Sequence, residues 1–88
     1  MKLIFAILRD EDTEAVSQGL VVAGFRVTRI ASTGGFLRRG YTTFMVGVDD
    51  DKVDQAIQVM HEKCTPTSDP NLHRATLFVL DVARFDQI

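Results

Sequence analysis

The chain has 88 residues, 45% of them hydrophobic, with 10 basic and 12 acidic side chains and a formal net charge of -2. That length makes one domain, residues 1–88, with a thin core for which self-assembly is a common remedy. The charge balance argues against an electrostatic grip on nucleic acid or anionic lipid, the single cysteine against an intrachain disulfide, and no run approaches the roughly 20 apolar residues of a membrane span.

The N-terminal stretch M-K-L-I-F-A-I-L-R-D has the look of a signal peptide. Its apolar run stops at Leu8, however, and meets Arg9 and Asp10 with no cleavage motif after it. Lys2 to Leu8 is therefore read as a buried first strand, and a cytoplasmic protein is expected. Asp10 and Asp12 offer N-cap oxygens for a helix over about Asp12 to Ala23, with Val16, Leu20 and Ala23 as its apolar stripe. Gly24 closes that helix.

Phe25 to Ser32 alternates as a second strand, with Phe25, Val27 and Ala31 on one side and Arg26, Thr28 and Ile30 on the other. Thr33 to Gly40 is a loop, and Tyr41 to Val48 is a third strand that forms a hairpin with the second. Asp49, Asp50 and Asp51 cap a second helix, whose stripe is Val53, Ile57, Met60 and Cys64 and which ends near Lys63. Thr65 to Arg74 holds both prolines and breaks regular structure. Thr76 to Val82 is the last strand, followed by a tail from Ala83 to Ile88. The order β-α-β-β-α-β predicts an α+β, ferredoxin-like sandwich: a four-stranded antiparallel sheet with two helices on one face.

Fold alone leaves function open. The stretch that stands apart is Ser32 to Phe44, S-T-G-G-F-L-R-R-G-Y-T-T-F. Glycines allow close backbone approach and positive φ, and successive amides can cradle an anion. Phe36 offers a stacking face worth about 1–3 kcal/mol per base in single-stranded nucleic-acid complexes. Leu37 can close the other side, and Arg26, Arg38 or Arg39 can meet phosphate. Together these describe a purine nucleotide site. The competing reading is a tight Gly34–Gly35 turn with Phe36 folded onto the core. Neither a P-loop nor a Rossmann glycine pattern is present.

Three stretches carry a resemblance: K-L-I-F-A-I at the start, F-R-V-T-R-I-A-S-T-G-G-F-L-R-R-G-Y-T-T-F-M-V-G-V in the middle and A-T-L-F-V-L-D-V-A-R-F-D-Q-I at the end. They resemble the cyclic di-AMP receptor family of PII-like signalling proteins. The resemblance implies a homotrimer of ferredoxin-like subunits binding cyclic di-AMP, or a related purine nucleotide, in clefts between neighbours. It implies no enzymatic activity, no cofactor, and a downstream protein partner that the sequence does not name.

Arg26 and Thr28 would meet the ligand's polar edges. Gly35, Phe36 and Leu37 would hold a purine and the adjoining backbone. Gly47 would leave room for the ligand, and Phe78 would contact the second purine from the neighbouring subunit, with Gln87 near the same cleft. The family commonly carries Asn where this chain has Gly24 and Tyr41; Tyr41 either stacks on a base or blocks the pocket. The family also inserts a long segment where only Thr65 to Arg74 stands here. A trimer that binds another purine nucleotide, or that has lost its ligand and serves as an interaction module, is the alternative.

Other constellations read as scaffold. His61, Cys64 and His73 fit no zinc spacing, and Cys64 continues the core stripe, so no metal is expected. Asp49 to Asp51 suit a helix start better than magnesium. No catalytic triad or carboxylate pair stands out, and Tyr41 with Arg26 is a thin case for acid–base chemistry.

Overall fold

The computed structural model describes residues 1–33, 40–66 and 73–88, with 31–33 described through their backbone alone. Chain order is β1 (Lys2–Arg9), a 3-10 turn (Asp10–Asp12), α1 (Thr13–Val22), β2 (Arg26–Thr33) and β3 (Tyr41–Val48). A second 3-10 turn (Asp50–Lys52), α2 (Val53–Lys63) and β4 (Ala75–Asp81) complete it. The strands form one sheet in the order β2-β3-β1-β4, and every pairing is antiparallel. This is the ferredoxin-like α+β arrangement.

Alternation along β1 divides the sheet into two faces. Ile4, Ala6 and Leu8 point toward the helices and join Phe44, Val46, Val16, Leu20, Ala56 and Met60 in the core. Fully burying a side chain such as Leu8 or Phe44 stabilises the fold by about 1.5–3 kcal/mol. Cys64 is buried with them, as its place in the apolar stripe predicts. On the opposite face Leu3, Phe5 and Ile7 stand half-buried, with no helix over them. Phe5 lies between Met45 and Phe78, and Leu3 beside Leu80. Phe78 and Leu80 are 54% and 46% exposed.

Several local expectations need correcting. The aspartates do not cap the helices: neither 3-10 turn and neither α-helix has a side-chain cap hydrogen bond. Asp10, Asp12 and Asp50 have longer-range partners instead: Thr42, Thr65 and the Met1 ammonium. Ala23 is exposed rather than part of the core stripe. In β2 the register shifts between Arg29 and Ala31, so Ala31 pairs with Thr43 and falls in line with Arg26 and Thr28, not with Val27. The extra residue, Ile30, is 48% exposed. Such a bulge inserts one residue and inverts the alternation beyond it.

Candidate nucleotide-binding cleft

The end of α1 sets the first wall of the cleft. Gly24 has φ 94°, a left-handed conformation that glycine adopts without a side-chain penalty. Its amide donates to the Val21 carbonyl at 3.0 Å, and the Phe25 amide donates to the Leu20 carbonyl at 2.9 Å. This pair of bonds is a Schellman stop, and the buried Phe25 and Leu20 supply its usual apolar contact. The stop ends the helix, sends Phe25 into the core and starts β2 with Arg26 on the uncovered face.

There Arg26 lies opposite Gly47, and Thr28 opposite Met45. Gly47 in turn lies opposite Leu3 of β1. A Cβ at Gly47 would come within 2.9 Å of the Met1 Cε, so the bare backbone keeps this part of the sheet open. After β4 the Val82 amide still donates to the Met1 carbonyl at 3.2 Å, which carries the antiparallel ladder one residue past Asp81. The tail then presents Arg84, Phe85 and Gln87.

These pieces enclose a cavity of about 730 Å³, within the roughly 300–1,000 Å³ range of small-molecule sites. Arg26, Thr28, Gly47 and Gln87, expected from sequence to share a cleft, all line it. Gly24 lines it as well. Sequence reasoning missed Lys52, Arg84 and Phe85, which add two cations and an exposed aromatic ring to the walls. The tail stretch A-R-F-D-Q-I carried that signal, since a cation and an aromatic stand beside Gln87.

Two expected residues lie elsewhere. Tyr41 sits at the far end of β3, opposite Arg9 and Thr33, 47% exposed and outside the cavity wall. Phe78 lies opposite Phe5 on the uncovered face and does not line the cavity either. Gly35, Phe36 and Leu37, with Arg38 and Arg39, fall outside the described residues.

A second polar construction stands where β1 meets α1. Arg9 donates to Asp12 Oδ2 through Nε at 3.1 Å and Nη2 at 2.8 Å. The two side chains are 6% and 1% exposed. Asp12 Oδ1 accepts from the Thr65 amide at 2.9 Å and the Thr65 hydroxyl at 2.6 Å. Arg9 Nη2 also donates to the Thr65 carbonyl at 2.7 Å. Burial opposes the charged form of Asp12, but the bonds from Thr65 and Arg9 outweigh it and hold the carboxyl below its ordinary 3.8. Two residues earlier, the Asp10 amide donates to the Gly40 carbonyl at 3.0 Å, and Asp10 Oδ1 accepts from the Thr42 hydroxyl at 2.7 Å.

A smaller cavity of about 310 Å³ lies between α2 and β4, beside His61, Cys64 and Arg74. Arg74 Nη2 stands 3.1 Å from His61 Nδ1. Among the described residues no three His, Cys, Asp or Glu side chains gather as a metal site would require. Burial pushes the Cys64 thiol up from its ordinary value. No helix of the described residues is long and apolar enough to cross a membrane.

Comparison with known proteins agrees with the fold. The chain is 34% identical over 76 residues, covering 72% of each protein, to the nitrogen fixation nifHD2 region GlnB-like protein 1 of Methanosarcina barkeri. Its fold is similar to that of a crystal structure of a functionally unknown protein from Pediococcus pentosaceus ATCC 25745. That similarity has a TM-score of 0.79 at 29% identity, covering 99% of this chain and 96% of the other. The sequence model of the cyclic-di-AMP receptor family matches residues 1–70, a span that holds Arg26, Thr28 and Gly47 but stops short of Phe78 and Gln87. The chain therefore belongs to the cyclic-di-AMP receptor family.

Proposed function

We propose that the protein is a PII-like, cytoplasmic signalling receptor that binds cyclic di-AMP in clefts between the subunits of a homotrimer, without catalysis. The observation that carries this reading is the convergence of Arg26, Thr28, Gly47 and Gln87 on one cavity, although the chain brings them from three separate segments. Arg26, Lys52 and Arg84 supply positive charge for phosphate, and charge-assisted hydrogen bonds of this kind are the strong ones. Phe36 and Leu37, by resemblance, hold a purine. Phe78 reaches the second purine from a neighbouring subunit, which accords with its position away from its own cavity.

The uncovered sheet face supports self-assembly. Phe5, Met45, Phe78, Leu3 and Leu80 are cross-strand neighbours there, and an exposed apolar patch on a small soluble domain marks an interaction surface. Gly24 on the cavity wall favours one second reading. A glycine brings no amide to pair with a purine edge, so the same cleft would take a different purine nucleotide.

Isothermal titration with cyclic di-AMP and a panel of purine mono- and dinucleotides tests the function, with sedimentation velocity reporting the assembly. Cyclic di-AMP binding to a trimer is expected. Arg26→Ala should cost about tenfold or more in affinity, since a hydrogen bond to a charged group contributes roughly 1.5–3 kcal/mol. Heat with another purine nucleotide alone selects the second reading. No heat with any of them, or a monomer throughout, overturns both.

A further inference from the structure

The 3-10 turn Asp10–Asp12 carries two carboxylates that hold two different parts of the chain. Asp10 faces the start of β3, binding the Gly40 carbonyl through its amide and the Thr42 hydroxyl through its carboxylate. Between those two attachments stands Tyr41, paired with Arg9 in the sheet. This is where the chain returns from the T-G-G-F-L-R-R sequence. Asp12 faces the end of α2, binding both the amide and the hydroxyl of Thr65, while Arg9 takes the Thr65 carbonyl. Every polar group of Thr65 is thereby committed to this construction. Thr65 leads into the stretch between α2 and β4.

Both attachments share one rigid support. The turn is closed by the Thr13 amide donating to the Asp10 carbonyl. The Thr13 hydroxyl donates to the Arg9 carbonyl at 3.3 Å. The Arg9–Asp12 pair beneath is buried, and among the described residues no buried side-chain nitrogen or oxygen lacks a hydrogen-bond partner. A buried polar network of this kind resists partial rearrangement, because moving one member strips partners from the others.

We propose that this turn is a coupling element: a change in the setting of Gly40–Thr42 is transmitted through Asp10 and Asp12 to Thr65, and the reverse. Asp10 is then a positioning residue for Tyr41 and the strand start beside it, and Thr65 is the point where the far segment receives the change. Coupling between two attachments is reciprocal, so each must alter the other by the same factor. Its use in signalling rests on the nucleotide reading given above. The coupling itself does not, and its test needs no ligand.

The test is native-state amide hydrogen exchange on the ligand-free protein. Thr42→Val removes the hydroxyl bonded to Asp10 while keeping the side-chain shape, and Thr42→Ser keeps the hydroxyl. The Thr65 amide should exchange about fivefold faster or more in Thr42→Val, the lower end of typical coupling factors. Ala6 and Phe44 amides should hold their rates, and Thr42→Ser should match the parent. In the reverse direction, Asp12→Asn should quicken exchange of the Asp10 amide. Asp10→Ala, which removes the acceptor at the same attachment, is a second probe should Thr42→Val fold poorly, and it too should quicken exchange at Thr65. Unchanged exchange at Thr65 in the folded variant overturns the proposal, as does an equal rise at Ala6 and Phe44.

Discussion

Replacing Asp12 by Ala leaves the Arg9 guanidinium, 6% exposed, without its carboxylate and strips two acceptor contacts from Thr65. Removing one partner of a buried ion pair typically costs about 3–5 kcal/mol, because the surviving charge stays buried and uncompensated. A domain of 88 residues has a total stability of about 4–13 kcal/mol at the usual 0.05–0.15 kcal/mol per residue. The substitution thus consumes much of that stability. Each kcal/mol lowers Tm by about 4–8 °C in a domain of this size, so a fall of roughly 12–40 °C is expected. Thermal unfolding followed by far-UV circular dichroism measures the fall in Tm, and urea unfolding measures the loss in kcal/mol, both at one fixed protein concentration. The double variant Arg9→Met, Asp12→Leu should recover a good part of the loss, since apolar packing often replaces a buried pair without cost. A loss below about 1 kcal/mol for Asp12→Ala would refute the reasoning, for that is the upper end of what an exposed pair contributes.

Three further outcomes follow from the same structure. Because Asp12 is held below its ordinary 3.8 in the fold, its stabilisation is fully present above that value. It is lost as pH falls through the depressed folded value. Stability against pH should therefore drop on acidification below about pH 4, and Asp12→Asn should flatten that limb of the urea midpoint curve. Gly47→Ala should change stability by less than about 0.5 kcal/mol, since the added Cβ meets only the flexible end of Met1. It should nonetheless weaken nucleotide binding by titration, because the methyl projects from the cavity wall. Gly24→Ala should cost about 1–2 kcal/mol from the left-handed backbone alone, as a Cβ there would meet nothing within 4 Å. Gly24→Asn should cost less in thermal unfolding and raise affinity for cyclic di-AMP.

The elements were legible because periodicity reports burial directly. Lys2 to Leu8 and Tyr41 to Val48 carry the β-branched and apolar runs of strands, and their ends fall within a residue of β1 and β3. The register shift in β2 was not legible, since R-V-T-R-I-A-S alternates acceptably on either side of it. Asp10, Asp12 and the Asp49–Asp51 run look like helix caps in any local window. The real partners of Asp10 and Asp12, Thr42 and Thr65, lie far along the chain and become neighbours only in the folded sheet. In the cleft, Arg26 was approachable from its charge beside the glycine loop. Gln87 and Gly47 came through resemblance, Arg84 and Phe85 required the tail to be placed against the sheet, and Lys52 required the turn before α2 to be placed beside them.

The extra residue in β2 has a consequence for how copies of this protein can meet. β2 is one border of the sheet, and β4 is the other. An interrupted ladder on an outer strand bends it and spoils the straight row of amides that a foreign strand would zip onto. Ile30 thus blunts one border against runaway strand addition, while β4, whose pairing with β1 runs unbroken from Ala75 to Asp81, leaves the opposite border straight.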